Sequence, residues 1–588
     1  MVINKLILLI KNLKMNFYLY SLIFFSIISS FLEILSISSI IPIMGIIIDA
    51  NIVSKFPIID DLFQYFDQLD FIQSQIFENK NYLTLMLIYL MIIVFFVKFV
   101  FQIFFEWYRA DIVYKIDYKI SSYLFNYYLN KPYYFHVDTN TSKLHRNIQG
   151  AAGGVSNIFR SIIIIFTETL IVLGLLSLLL YYDWKVTAMT LFLLLVAGSV
   201  FMISTSKLNI SLGRKVHIHT EKRISHLING FEGIKDFIIY DKIKSLYKIF
   251  DNSNQAYGKA NRLFSVIAIL PKLIIEFLFI FGILIALLYF SLKEQNLNEF
   301  LPLISLFVLS MIRIAPSTFR IINASQQIKF NKTSIDHIYA DLMSAIKQIN
   351  LKSLSQNKYE IKFSKNIQLK NINFSFKKNK TKVIKNLNLS LKKGDCIGIY
   401  GDSGSGKSTL LNIITGLFKP VSGNVFCDDV NIHKNIKSWR KNIGYVPQNV
   451  YLIDEDIKKN ISLNINSKLY NKINLNYALQ ISGLKKMYKN ISFRLKKTLG
   501  EKGQKISGGQ VQRVGIARAI YQRPNILIFD ESTSSLDKDI EKKIFKSIYN
   551  LKRKNTILIV SHKLDTLKIC DHVFEIKNGK ITSSVKDK

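Results

Sequence analysis

The apolar residues of this 588-residue chain are gathered into its first half, and that segregation constrains the fold more than any other feature. Six stretches are long enough to cross a bilayer at about 20 residues each. They run approximately over Phe17–Ile48, Tyr82–Trp107, Ile162–Tyr182, Val186–Ile203, Ile267–Phe290 and Phe300–Ile322. All six precede a linker expected from Ala324 to Lys358. After it, short apolar strands alternate with amphipathic segments, as in a soluble α/β domain. The expected organisation is a six-span α-helical transmembrane domain with cytoplasmic helical extensions over 1–323, a linker over 324–358, and an α/β domain over 359–588. The first apolar run is too long for a cleavable signal, carries Glu33 and lacks a small-residue cleavage site.

The charge distribution orients the spans. Lys5, Lys11 and Lys14 precede the first span, and Lys207, Arg214, Lys215, Lys222, Arg223, Lys235, Lys242, Lys244 and Lys248 fill the loop between spans four and five. The loop after span one instead carries Asp49, Asp60, Asp61, Asp67, Asp70 and Glu78 against Lys55 and Lys80. The positive-inside rule then places both termini in the cytoplasm of a multi-pass protein, expected in a bacterial inner membrane. The formal charge of +37 reflects Lys-rich composition throughout. No basic run is interleaved with aromatics on a recognisable nucleic-acid fold, so no nucleic-acid partner is expected. Cys396, Cys427 and Cys570 all fall in the cytosolic domain, lack metal-ligand spacing, and are expected to be reduced and structural.

Gly401-Asp402-Ser403-Gly404-Ser405-Gly406-Lys407-Ser408-Thr409 fits the phosphate-binding pattern G-x-x-x-x-G-K-[ST]. Its glycines let successive backbone N–H groups turn inward around phosphate oxygens. The loop follows the apolar run Cys396–Tyr400 and opens a helical segment, so phosphate would lie at a helix N-terminus. Ile526-Leu527-Ile528-Phe529 ends in Asp530-Glu531, two carboxylates at the C-terminal end of a buried strand, where open α/β sheets bind ligands.

With Ile506-Ser507-Gly508-Gly509-Gln510 further along, the second half resembles the ABC ATPases. The resemblance implies ATP and Mg²⁺. Asp530 would support the metal with Ser408 and Gln448, and Glu531 would polarise the attacking water. His562, after Ile557–Val560, would contact the γ-phosphate; Asp537, in Ser534-Ser535-Leu536-Asp537, would join the nucleotide site. Phe376 stands where the family more often has Tyr, and an aromatic face suffices to stack on adenine. Ile506 replaces the usual Leu of the signature.

The long cytoplasmic connections Tyr108–Arg160 and Ser204–Ala268 resemble those of ABC exporters, whose tip helices dock on the ATPase. Such tips are expected near Thr141–Ile148 and Gly233–Tyr240, and Thr498–Gly503 resembles the exporter loop that reads them. Ionisable residues inside a bilayer are costly and face a partner or an aqueous cavity. Lys98, Lys272, Arg313 and Arg320 form the basic set, and Glu33, Glu168 and Glu276 are the embedded acids. Arg313 and Arg320 share a helical face.

The patches Phe31-Leu32-Glu33-Ile34 and Met311–Ser317 with Arg320 look like PglK-type flippases of lipid-linked oligosaccharides. That family lines its cavity with basic residues that engage pyrophosphate and carries a short external helix, matched by Ile58 to Phe71. Lys98 and Lys272 keep charge but lack the bidentate fork of Arg.

The resemblance implies a homodimeric half-transporter that uses ATP hydrolysis to move a polyprenyl-pyrophosphate oligosaccharide to the outer leaflet. Exporters of lipid, lipopolysaccharide core or drugs share the fold, and a membrane-bound regulatory ATPase without transport is a further alternative.

Overall fold

The computed structural model describes residues 2–38, 80–182, 184–292, 297–352, 360–376, 381–464, 470–485, 498–531, 541, 552 and 554–584. The chain divides into two compact units, one of residues 1–131 and 138–354, the other of 132–137 and 355–588.

The first unit is helical. A short amphipathic helix α1 (Val2–Asn12) precedes α2 (Asn16–Ser38) and the 50-residue α3 (Lys80–Leu129). Pro132 ends α3's run, since proline lacks the N–H that an interior helical turn needs, and precedes α4 (Tyr133–Asp138), whose residues 133–137 belong to the second unit. α5 (Thr141–His145) starts with Asn140 capping Ser142 N and runs through a π turn at Arg146–Ala151 into α6 (Ala152–Tyr182). Then come α7 (Trp184–Glu232), α8 (Ile234–Ile239), α9 (Ile243–Leu292) and α10 (Leu297–Lys352). α10 packs along α6 and α7, and α2 along α6 and α3. α7 and α10 approach closely at Gly213, where a Cβ would run into the Phe330 carbonyl.

Among the described residues five helices are long and apolar enough to cross a membrane, over Asn16–Ser36, Ile88–Leu129, Thr141–Ser177, Leu195–Glu232 and Ile243–Phe281. The sixth expected span lies within the helical backbone of α10, whose side chains over 297–313 fall outside the described set. So do the end of the first span and the expected external helix at 58–71.

Two expectations shift. Residues 324–352, expected as linker, continue α10 without a break, because no Gly or Pro interrupts the chain from Ser317 to Lys352. Short helices do form at both expected tips, α5 and α8, but the segment grouped with the second unit is the one at 132–137.

The second unit is α/β. A four-stranded antiparallel sheet has the order β2-β1-β4-β5, from β1 (Asn366–Phe374), β2 (Ile384–Lys392), β4 (Ser422–Cys427) and β5 (Val430–Asn431). A six-stranded sheet runs β10-β9-β3-β8-β7-β6. Its members are β3 (Cys396–Tyr400), β6 (Ile443–Val446), β7 (Ile526–Asp530), β8 (Thr556–Val560), β9 (His572–Lys577) and β10 (Lys580–Ser584). The interior strands β3, β7 and β8 are parallel to their neighbours and almost wholly buried, which explains their unbroken Ile/Leu/Val runs.

The core between the sheets holds Ile397, Ile399, Leu410, Leu411 and Trp439, and Trp439 donates its indole N–H to the Ile414 carbonyl at 2.8 Å. All three cysteines are buried free thiols.

Candidate functional site

β3 delivers the chain to the phosphate loop, and α11 (Lys407–Ile414) takes it up. Gly404 and Gly406 have φ of +79° and +108°, a region that a side chain would strain. A Cβ on Gly406 would also press on Ile384 Cδ1 at 2.9 Å. Lys407 opens α11 with its side chain buried, and its Nζ donates to the carbonyls of Gly401 at 2.7 Å and Asp402 at 2.9 Å. Burial pushes its ammonium pKa down, opposed by Glu531, Asp402 and Asp530. Among the described residues the buried Ser405 hydroxyl has no hydrogen-bond partner. A buried polar atom left unpaired is costly, and a phosphate oxygen in the loop would satisfy it. Ser408 is exposed and Thr409 half-buried at the start of the helix.

β7 ends at Asp530, and Glu531 follows with φ of +47°, a strained conformation for a residue with a side chain. Its N–H is held by the Val560 carbonyl at 3.0 Å. The Glu531 carboxylate gathers the other expected residues. Oε1 meets His562 Nε2 at 2.6 Å and stands 4.0 Å from Lys407 Nζ, while Oε2 accepts from Gln448 Nε2 at 2.8 Å.

Asp530 is buried, which pushes its carboxyl pKa up. One oxygen, Oδ2, accepts the Tyr445 hydroxyl at 2.9 Å, and that bond lowers the pKa in opposition to burial. Burial raises the Tyr445 phenol far above its ordinary value, so it stays a protonated donor. Sequence reasoning assigned Tyr445 no role; its place in Tyr445-Val446-Pro447-Gln448 was the available signal. Asp530, the Ser408 hydroxyl and the Gln448 amide oxygen are hard oxygen donors of the kind Mg²⁺ takes. The buried carboxylate of Asp530 also gains from a neighbouring cation, so the donor set fits the metal that the motifs imply.

Ser507 caps a further helix, α12 (Gly508–Tyr521), in a reciprocal capping box: its hydroxyl accepts from Gln510 N at 3.4 Å, and Gln510 Oε1 accepts from Ser507 N at 3.1 Å. Ser507 and Gly508 are exposed, with Gly509 and Gln510 half-buried, so a helix N-terminus faces outward. Just before it, Gly500, Lys502 and Gly503 all have positive φ and leave Glu501 exposed on a tight loop.

Phe376 is half-buried, edge-on to Phe374 and Phe418 and stacked on Tyr134 with centroids 6.4 Å apart. Asp537 lies outside the described residues, with Ser534, Ser535 and Leu536.

In the helical unit the three described members of the basic set have different surroundings. Lys98 is tied to Glu33 at 2.9 Å, where Ser36 accepts a second bond and Gln102 donates to the other carboxylate oxygen. Lys272 is half-exposed on α9, 3.7 Å from Glu276. The Arg313 side chain is outside the described set. Arg320 lines a cavity of about 340 Å³ between α6 and α10, with its Nε 2.6 Å from Glu168. The cavity is also lined by Arg160, Asn157, Asn323 and Gln327. Arg160 went unnoticed in the sequence because it precedes the apolar run counted as span three. Among the described residues it has no carboxylate within ion-pair distance.

Comparison with known proteins covers both units. A profile described as the ABC transporter transmembrane region matches residues 18–315, and one described as ABC transporter matches residues 384–534. ATP-dependent lipid A-core flippase 2 of Colwellia psychrerythraea is 25% identical over 478 residues, covering 79% of each chain. The alpha-hemolysin translocation ATP-binding protein HlyB of Escherichia coli is 34% identical over 224 residues, 38% of this chain and 31% of that protein. A solved structure of a bacterial Atm1-family ABC exporter with ATP bound shares the fold at TM-score 0.72 and 16% identity, over 95% of this chain and 94% of that one.

Proposed function

The chain belongs to the ABC transporter family, and from that premise we propose that it flips a phosphate-bearing lipid, specifically a polyprenyl-pyrophosphate-linked oligosaccharide, from the inner to the outer leaflet. An N-terminal transmembrane domain and a C-terminal ABC ATPase make it an ATP-driven exporter that couples hydrolysis to transport. The observation that carries the substrate proposal is the cavity between α6 and α10. Arg320 is offset by Glu168, so Arg160 leaves one net positive charge among amides. A guanidinium in a poorly hydrated cavity binds a phosphate group strongly and bidentately.

In the ATPase the proposed roles follow from geometry. Lys407 and the loop N–H groups receive the phosphates, and the orphaned Ser405 hydroxyl turns to them. Glu531 orients the attacking water, with His562 and Gln448 fixing its two oxygens. Mg²⁺, held by Ser408, Gln448 and Asp530, would neutralise phosphate charge. The outward-facing Ser507–Gln510 helix start completes the ATP site of a second copy, so the working unit is a homodimer in the inner membrane with both termini cytoplasmic.

The relatives named lipid A-core flippases favour a second substrate, lipid A-core, in the same cavity. Proteoliposomes carrying the protein separate the two. Flipping and ATPase stimulation by the polyprenyl-pyrophosphate oligosaccharide support the first; response only to lipid A-core supports the second. Response to neutral hydrophobic compounds alone overturns both, and ATPase activity with no transport of any of these would mark a regulatory ATPase.

A further inference from the structure

The two carboxylates at the end of β7 are held by different partners. Glu531 spends both oxygens on His562 and Gln448, whereas Asp530 receives the Tyr445 hydroxyl on Oδ2 at 2.9 Å. Tyr445 reaches it from the neighbouring strand. β6 and β7 run parallel with Tyr445 in register with Ile528, so the ring extends toward the strand's carboxyl end, where Asp530 lies two residues on. The strands come from sequence positions 85 residues apart, and the ring is fixed by the core, with Tyr445 packed against the buried cluster that includes Ile526 and Ile528. A carboxylate at a strand terminus can rotate about its Cβ–Cγ bond; a phenol locked on one oxygen removes that freedom and aims the other oxygen.

We propose that Tyr445 is a positioning residue for the divalent cation of the ATPase, holding Asp530 Oδ2 so that Oδ1 is presented to the metal or its bound water. This rests on Asp530 being the metal-supporting carboxylate. Partners of this kind orient ligating groups, and their loss costs about 10-fold or more in metal affinity. Tyr445 would touch neither nucleotide nor metal.

The test uses the full-length protein in nanodiscs, with equilibrium binding of a fluorescent ATP analogue titrated with Mg²⁺ and the Mn²⁺ resonance spectrum of the ATP complex. Tyr445→Phe, which removes one hydroxyl and keeps the ring, is expected to raise the half-saturating Mg²⁺ concentration about 10-fold. It should alter the Mn²⁺ spectrum and leave metal-free ATP affinity unchanged. Asp530→Asn should impair metal dependence more severely. An unchanged Mg²⁺ requirement in Tyr445→Phe alongside a large shift in Asp530→Asn overturns the positioning role alone. No shift in either variant overturns the metal assignment of Asp530 and the inference with it. A lower melting temperature for Tyr445→Phe with the wild-type metal dependence identifies a merely structural hydroxyl and also overturns it.

Discussion

His562 Nε2 stands 2.6 Å from Glu531 Oε1, and the other oxygen of the same carboxylate takes the Gln448 amide at 2.8 Å. A single carboxylate is thus clamped from two loops, at a backbone position that is itself strained. This is the arrangement expected of a group that must aim at a water molecule rather than one that only caps a strand.

Glu531→Gln should therefore retain ATP binding and slow hydrolysis by about 10²–10⁴-fold, the range seen when a general base is lost. The amide preserves size but cannot accept a proton. Single-turnover hydrolysis beside nucleotide binding in the same preparation checks it, and turnover near the wild-type rate would remove Glu531 from the role.

Lys407→Ala should act on binding instead. Its buried ammonium donates to two backbone carbonyls of the loop and supplies a positive charge beside it. Loss of a charge-assisted bond worth about 1.5–3 kcal/mol predicts ATP binding roughly 10- to 100-fold weaker. Isothermal titration that returns equal affinity for Lys407→Ala and Glu531→Gln would contradict the division of labour.

Subunits carrying Lys407→Ala mixed with subunits carrying Ser507→Arg should regain hydrolysis that neither shows alone. On the proposed arrangement, in which Ser507 serves the neighbour's phosphate loop, both lesions fall in one composite site of a mixed dimer and the other is intact. The absence of any recovery in purified heterodimers would mean that the site is completed within one chain.

Arg160→Ala should suppress lipid-stimulated ATPase and flipping while leaving basal ATPase and melting temperature unchanged, since no ion pair among the described residues loses a partner. Arg320→Ala should behave differently: Glu168, only 12% exposed, is left without its guanidinium. Removing one partner of a fully buried pair costs about 3–5 kcal/mol, and the cost here is smaller because the Arg320 side chain is 37% exposed. The double variant Arg320→Ala/Glu168→Ala should recover thermal stability but not transport. Wild-type flipping by a stable Arg160→Ala protein would place the head-group site elsewhere.

Lys98→Ala should likewise destabilise the helical unit without a specific effect on substrate, because Lys98 serves Glu33 and Ser36. Pairing it with Glu33→Ala should restore most of the lost stability. A transport defect that persists in a stable double variant would return Lys98 to the substrate path.

The phosphate loop, the Asp530–Glu531 strand end, Gln448, His562 and the capped signature helix were all legible in the chain itself. Each is a local device: a turn that needs glycine, a buried strand that needs an unbroken apolar run, a helix start that needs a side-chain acceptor. Five helices long and apolar enough to cross a membrane were legible for a similar reason, since length and hydropathy are properties of one segment. Pairings across the fold were not. Lys98 meets Glu33 across 65 positions, Arg320 meets Glu168 across 152, and Tyr445 meets Asp530 across 85. Of the four cations that read as one binding set, the three described ones were divided by these contacts into a buried pair, an exposed pair and a cavity wall, while Arg160 joined the wall unannounced. The sequence alone determined which groups the protein offers for the proposed phosphate binding and hydrolysis. Helix packing and strand register decided which charges are cancelled and which stay available, because electrostatic worth depends on the nearest neighbour in space and on burial, and neither is a property of residue order.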